Sequence, residues 1–306
     1  MWDGDVRLAM RAGVITAVLA RGFGLTAYGN SGSQLPLYWR ELDSNHRSRS
    51  CNQYPKKARE LCAQGQPRCV HTREMRGRSR YPDNLMVRRG TNVMPERFTE
   101  TLRAASEAGW SHAGQHRFVN ELFAGAVPDA VMARYLIQDH RFLDNFLVLL
   151  GAALASSDTF AARLRLGRFI GMLSAEENTY FLRAFEALGV TETRRAAVPD
   201  TQPTIGFKAI MREAADTRIY AAALSVLVVA EWLYLDWASR APQPLPNKFV
   251  HAEWITLHDN SNFCGFVDFL RTELDRVGPA HADLCRDFFS RAVALELSFF
   301  EDAYTT

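Results

Sequence analysis

The sequence predicts a single all-α domain over residues 94–306, preceded by a basic N-terminal extension of low order over residues 1–93. Three observations carry this reading. Apolar residues recur at three- and four-residue spacing almost without interruption from Phe98 to Tyr304. Strand signals are nearly absent, because the β-branched residues fall inside helical periods. Glycine and proline punctuate the pattern at helix-length intervals, with short connections between. The 306 residues would allow two domains by length alone. The helix count and loop lengths fit one bundle instead.

Taken in order, Phe98 to Trp110 has helical apolar spacing, and His116 to Phe123 continues it until Gly125. Pro128 suits the first turn of a helix that runs to about Ser156. Thr159 to Leu173 forms the next, and Ser174-Ala-Glu-Glu reads as a capping sequence for another that ends at Gly189. Residues 190–203 read as a polar connection, followed by a short helix from Thr204 to Ala215. Arg218 to Arg240 is a long apolar helix, which Pro242, Pro244 and Pro246 end sharply. Phe249 to His258, Asn262 to Val277 and His281 to Tyr304 complete the set.

The net charge of +2 hides a split. Residues 1–93 carry 16 Lys/Arg against 7 Asp/Glu, so +9, which leaves −7 for residues 94–306. The basic segment has too little apolar surface to offset chain entropy. An Arg-rich arm for nucleic acid and a transit peptide are alternative readings of it. Its aromatic residues do not interleave with the basic ones, however, and no nucleic-acid partner is expected. Met94, followed by Pro-Glu-Arg-Phe-Thr-Glu, reads as the natural start. No run reaches the roughly 18 apolar residues of a membrane span, so no membrane partner is expected. Cysteine spacing offers no Cys-x-x-Cys, so neither a zinc site nor a disulfide framework is expected, which fits a cytoplasmic setting.

Four carboxylates interrupt apolar helix faces: Asp139, Glu231, Asp236 and Glu296. Ionised groups are rarely buried unpaired. Each could simply hold an N–H or Arg partner that keeps helices in register. Together, with tyrosines beside them, they point to a small aromatic-lined cavity inside a bundle. Carboxylates there can bind ring nitrogens or amines, or act as acid and base. Glu231 opens Glu-Trp-Leu-Tyr, so on a helix Tyr234 shares its face. No helix carries Glu-x-x-His, and no glycine-rich phosphate loop or Gly-x-Ser-x-Gly is found, so neither a metal nor a nucleotide cofactor is expected.

From Phe98 to Tyr304 the order of motifs resembles the TenA (thiaminase II) family. The motifs are Trp110 followed by His116-x-Phe-Val119, then Leu122-x-x-Gly125 and Tyr135-Leu-x-Gln-Asp-x-x-x-Leu143. Next come Glu176-Glu177 ahead of Leu188-Gly-Val190, Glu231-x-x-Tyr234, Trp254-Ile255 and Glu296-x-x-Phe299. The resemblance implies a heme-oxygenase-like helical bundle that needs no cofactor, assembled as a homo-oligomer. It implies a thiamin-salvage-type hydrolase that cleaves the C–N bond of an aminomethyl or N-formyl aminomethyl aminopyrimidine, releasing ammonia or amine. The alternative is a non-catalytic bundle that binds a small heterocycle or serves regulation.

By the same resemblance Asp139 binds the aminopyrimidine and Glu296 is the terminal acid/base. One branch of the family carries a nucleophilic cysteine on the central helix, where this chain has Ala230. Glu231 and Tyr234 match a second branch that lacks it, with Glu231 activating water and Tyr234 orienting Glu231. Two pocket tyrosines of the family correspond to Phe142 and Phe207, and a third position to Leu257 or His258. Each hydroxyl so lost removes a hydrogen bond worth roughly 0.5–1.5 kcal/mol.

Overall fold

A computed structural model describes residues 96–305, all helical or connecting, with no strand among them. The extension over residues 1–93 and the start at Met94 lie outside the described residues. We number the α-helices α1 (Phe98–Ala105), α2 (Glu107–Gly114), α3 (Arg117–Phe123), α4 (Asp129–Ser156), α5 (Phe160–Met172) and α6 (Asn178–Ala187). The rest are α7 (Glu192–Ala197), α8 (Gln202–Asp216), α9 (Tyr220–Ala238), α10 (Phe249–Leu257), α11 (Ser261–Val277) and α12 (Ala282–Asp302).

The bundle is built around α9, which packs on α2, α4, α8, α11 and α12. Its sequence is apolar on every side, and all of it except Leu235 and Asp236 is buried. A helix with no polar stripe must be surrounded by others. By length and mean hydropathy (1.4) α9 meets the requirement for a membrane span. This corrects the expectation that no such run exists. Here 89% of it is covered by neighbouring helices, as in a core helix.

Helix ends follow the local chemistry. His116 caps α3 by accepting from the Phe118 N–H, Thr159 caps α5, and the Asn260 side chain accepts from two N–H groups at the start of α11. Gly125 ends the α3 segment at φ +67°, a conformation glycine adopts without steric cost.

Three expectations are corrected. The helix read over Phe98 to Trp110 is broken at Ser106, and its second half extends to Gly114. The connection over residues 190–203 contains the short helix α7. Most consequentially, Ser174-Ala-Glu-Glu does not cap a new helix. Residues Leu173–Glu177 form a π-helical turn that joins α5 to α6 without a break. Among the described cysteines, Cys285 is a free buried thiol.

Candidate active site

One cavity brings the candidate residues together. Its space open to the centre of a water molecule is about 40 Å³, room for on the order of three waters or part of one small ring. Helix α4 contributes Asp139, Phe142 and Phe146, and α9 contributes Ala230, Glu231 and Tyr234. Phe207 comes from α8, Trp254 from α10, and Glu296 and Phe299 from α12. His258, just past α10, and Glu177, at the end of the π-helical turn, complete the polar part of the lining. Asp139, Phe142, Phe207, Glu231, Tyr234, His258 and Glu296, all named from the sequence, therefore reach this cavity, whereas Leu257 and Asp236 do not line it.

The apolar wall is a chain of aromatic contacts. Phe142 stacks on Phe146 at 5.3 Å and meets the ring of Phe207 edge-on at 5.1 Å. Phe207 in turn meets Phe299 at 6.0 Å. Offset and edge-to-face contacts of this kind fix ring orientation. Such a wall suits a flat apolar-faced ligand.

The polar part is acidic. Among the described residues no Lys or Arg lines the cavity. Asp139, Glu231 and Glu296 are 8%, 6% and 2% exposed. Burial holds the carboxyl of each well above the usual range, and repulsion between them adds to the effect: Glu177 and Asp139 act on Glu231, and Asp139 and Glu231 on Glu296. Glu177 is only half-buried, and desolvation pushes it up to about 7. Two buried polar atoms of lining residues have no partner: Asp139 Oδ2 and Trp254 Nε1.

The tyrosine and histidine roles emerge from their bonds. The Tyr234 hydroxyl lies 2.7 Å from that of Tyr135 on α4. Tyr135, one turn before Asp139 on the same helix, favours the charged form of that carboxyl and so partly opposes the burial effect. No bond joins Tyr234 to Glu231 among the described residues, so Tyr234 does not orient Glu231 as expected. Its hydroxyl partner is Tyr135. His258 Nδ1 lies 2.8 Å from the Trp254 carbonyl oxygen. That oxygen can only accept, so Nδ1 carries the proton and Nε2 keeps a lone pair. Burial lowers the His258 pKa to about 4, and the ring is neutral near pH 7.

Adjacent residues have divided tasks. Gln138, next to Asp139, donates to the Pro199 carbonyl at 3.0 Å and accepts from Thr201 N–H and Thr204 Oγ1. It ties the connection before α8 to α4. Asp236, the fourth interrupting carboxylate, lies outside the cavity and accepts from Trp110 Nε1 at 2.9 Å, with Arg103 and Arg240 nearby. Its role is structural. Sequence reasoning misses Tyr135 and Glu177 as site residues. In the sequence Tyr135 is legible only as the first residue of the motif that contains Asp139, and Glu177 only as part of an acidic pair.

These features define an all-α bundle enclosing an acidic, aromatic-walled small-molecule cavity. The chain matches the TENA/THI-4/PQQC family over residues 103–306, and it belongs to that family. No curated protein sequence matches it. Among solved structures it is similar to a TenA homologue from P. horikoshii OT3, with TM-score 0.63 and 22% identity, covering 68% of this chain and 99% of that one. A TenA family transcription regulator from Silicibacter sp. TM1040 gives TM-score 0.61 and 22% identity over 68% and 97% of the two chains. A Sulfolobus solfataricus P2 protein, provisionally named a TenA-like thiaminase, gives 0.58 and 16% over 67% and 94%. The fold is the heme-oxygenase-like helical bundle.

Proposed function

We propose that the chain is a cysteine-less hydrolase of the TenA type, which cleaves the C–N bond at the aminomethyl carbon of an aminopyrimidine. The observation that supports this most is the meeting of Asp139, Glu231 and Glu296, all buried and without a cationic partner, around one aromatic-walled cavity. A basic, flat heterocycle satisfies both halves of that lining. The position assigned to a nucleophile in the other branch is Ala230, so water is the attacking group.

In this reading Asp139 accepts from the exocyclic amino group through its unpartnered oxygen. The charge of Glu231 raises the proton affinity of Glu296, so Glu296 can hold a proton while Glu231 is ionised. That is the arrangement an acid–base pair requires. Glu231 takes a proton from water as its oxygen bonds to the aminomethyl carbon. Glu296 gives a proton to the ring or the departing nitrogen as the C–N bond breaks. Ammonia or amine leaves, and the alcohol remains. His258 Nε2 offers a further acceptor to the ligand.

Phe142 and Phe207 support a second reading, in which the cavity binds a heterocycle without cleaving it. They leave that wall without hydroxyls, and one structural relative is named a transcription regulator. The test is ammonia release from an aminomethylpyrimidine by the purified chain. Hydrolysis predicts steady release that is lost in Glu231→Gln and in Glu296→Gln. Binding with no release from the parent chain overturns hydrolysis in favour of the second reading.

A further inference from the structure

Glu177 is the one cavity carboxylate that the proposed hydrolysis leaves unused. It ends the π-helical turn Leu173–Glu177, a type of turn that is rare and frequent at functional sites. It differs from its companions in access. Asp139, Glu231 and Glu296 are buried, whereas Glu177 is partly exposed while still lining the cavity. Among the lining residues only Phe142 shares that exposure, so Glu177 stands on the solvent side of the lining. It is also the group whose charge acts most strongly on Glu231, and the sole charged group acting on Asp139. Among the described residues no hydrogen bond or ion pair to another side chain holds it, and no Lys or Arg lines the cavity to neutralise it. Two buried, unpartnered polar atoms, Asp139 Oδ2 and Trp254 Nε1, belong to the same lining and mark the space as built for a ligand.

We propose that Glu177 receives the ammonium end of the ligand at the mouth of this cavity, and so selects protonated amines over uncharged analogues of the same shape. The ring enters against the phenylalanine wall, and the ammonium stays nearest solvent, beside the least buried carboxylate. Burial pushes the deeper three toward their uncharged form. Glu177, pushed up to about 7, is ionised in mildly alkaline solution. A charge-assisted hydrogen bond then forms between ammonium and carboxylate. This deepens the pyrimidine hydrolase reading and rests on it for the identity of the ring, but not for the role of Glu177.

The experiment is calorimetric binding at about pH 8 of two matched pairs: an aminomethylpyrimidine with its hydroxymethyl counterpart, and benzylamine with benzyl alcohol. For the parent chain the expected result is that each amine binds about tenfold or more tighter than its alcohol. Glu177→Gln should abolish that preference while leaving the alcohols unchanged, and Glu177→Asp, which keeps the charge, should retain part of it. An amine preference that survives in Glu177→Gln overturns the proposal. So does an equal loss of amine and alcohol in both variants, which marks a structural role. If only the benzyl pair binds, with a preference that depends on Glu177, the proposal stands and the pyrimidine reading falls. If the pyrimidines bind without an amine preference, the pyrimidine reading stands and the proposal falls. If none of the four binds the parent chain, both fall.

Discussion

The phenolic oxygens of Tyr135 and Tyr234 lie 2.7 Å apart, although 99 residues separate them in the chain. One hydroxyl satisfies the other between two buried rings, and the bond ties α4 to the central helix. The pair also resolves how two phenols can sit in an otherwise apolar core without a penalty.

Removing one hydroxyl strands the other. Tyr135→Phe should cost about 1–3 kcal/mol of unfolding free energy, the usual penalty for leaving a buried polar group unpaired. The variant carrying both Tyr135→Phe and Tyr234→Phe should cost less than the sum of the two single changes. Urea unfolding of the four proteins in that cycle measures it. Strict additivity would show that the two hydroxyls do not depend on one another.

Glu231→Gln and Glu296→Gln should separate activity from stability. Each should lower turnover by about 10²-fold or more, the scale of general acid–base catalysis. Neither should destabilise the fold at neutral pH. Both carboxyls are raised far above their ordinary 4.5 by burial. Their stabilising contribution is therefore complete below the unfolded value and is lost as pH rises through the folded one. Gln keeps the uncharged shape at every pH. Thermal melts alongside ammonia assays check this, and a fall in Tm matching the fall in rate would return these residues to a structural role.

For Glu177 the pH window is defined. Its folded value is about 7 against an ordinary 4.5. Between these limits the folded chain holds a proton that the unfolded chain releases, so stability falls as pH rises. Glu177→Gln should match the parent chain near pH 4.5 and exceed it above pH 7. The difference should be on the order of 3 kcal/mol at most, since the side chain is partly open to solvent. Melting both proteins across this range provides the measurement, and a constant difference would contradict the titration.

Asp236→Ala should behave in the opposite way. It leaves the Trp110 Nε1, buried in a ring that is 1% exposed, without its 2.9 Å partner. A loss of about 1–3 kcal/mol in stability is expected, with ammonia release per folded molecule unchanged. Denaturant titration and a rate normalised to folded protein distinguish this from a catalytic role.

The sequence by itself determined the helical bundle, the central position of α9 and three of the four cavity carboxylates. It could do so because an acid set in an apolar helical period is visible locally: Asp139, Glu231 and Glu296 each break a greasy face. The same signal also picked out Asp236, and periodicity cannot tell a carboxylate facing a cavity from one facing an indole N–H across a helix contact. Only the tertiary structure decided that, because the partner, Trp110, lies 126 residues away. It also decided the partner of Tyr234, which helical spacing assigned to Glu231 and packing gave to Tyr135. Glu177 shows the limit most clearly. Ser-Ala-Glu-Glu has the composition of a helix cap, but residues 173–177 instead continue the helix through a wider π turn. That turn shifts the register of α6 and brings Glu177 to the cavity lining, and no local spacing rule for α-helices anticipates such a shift.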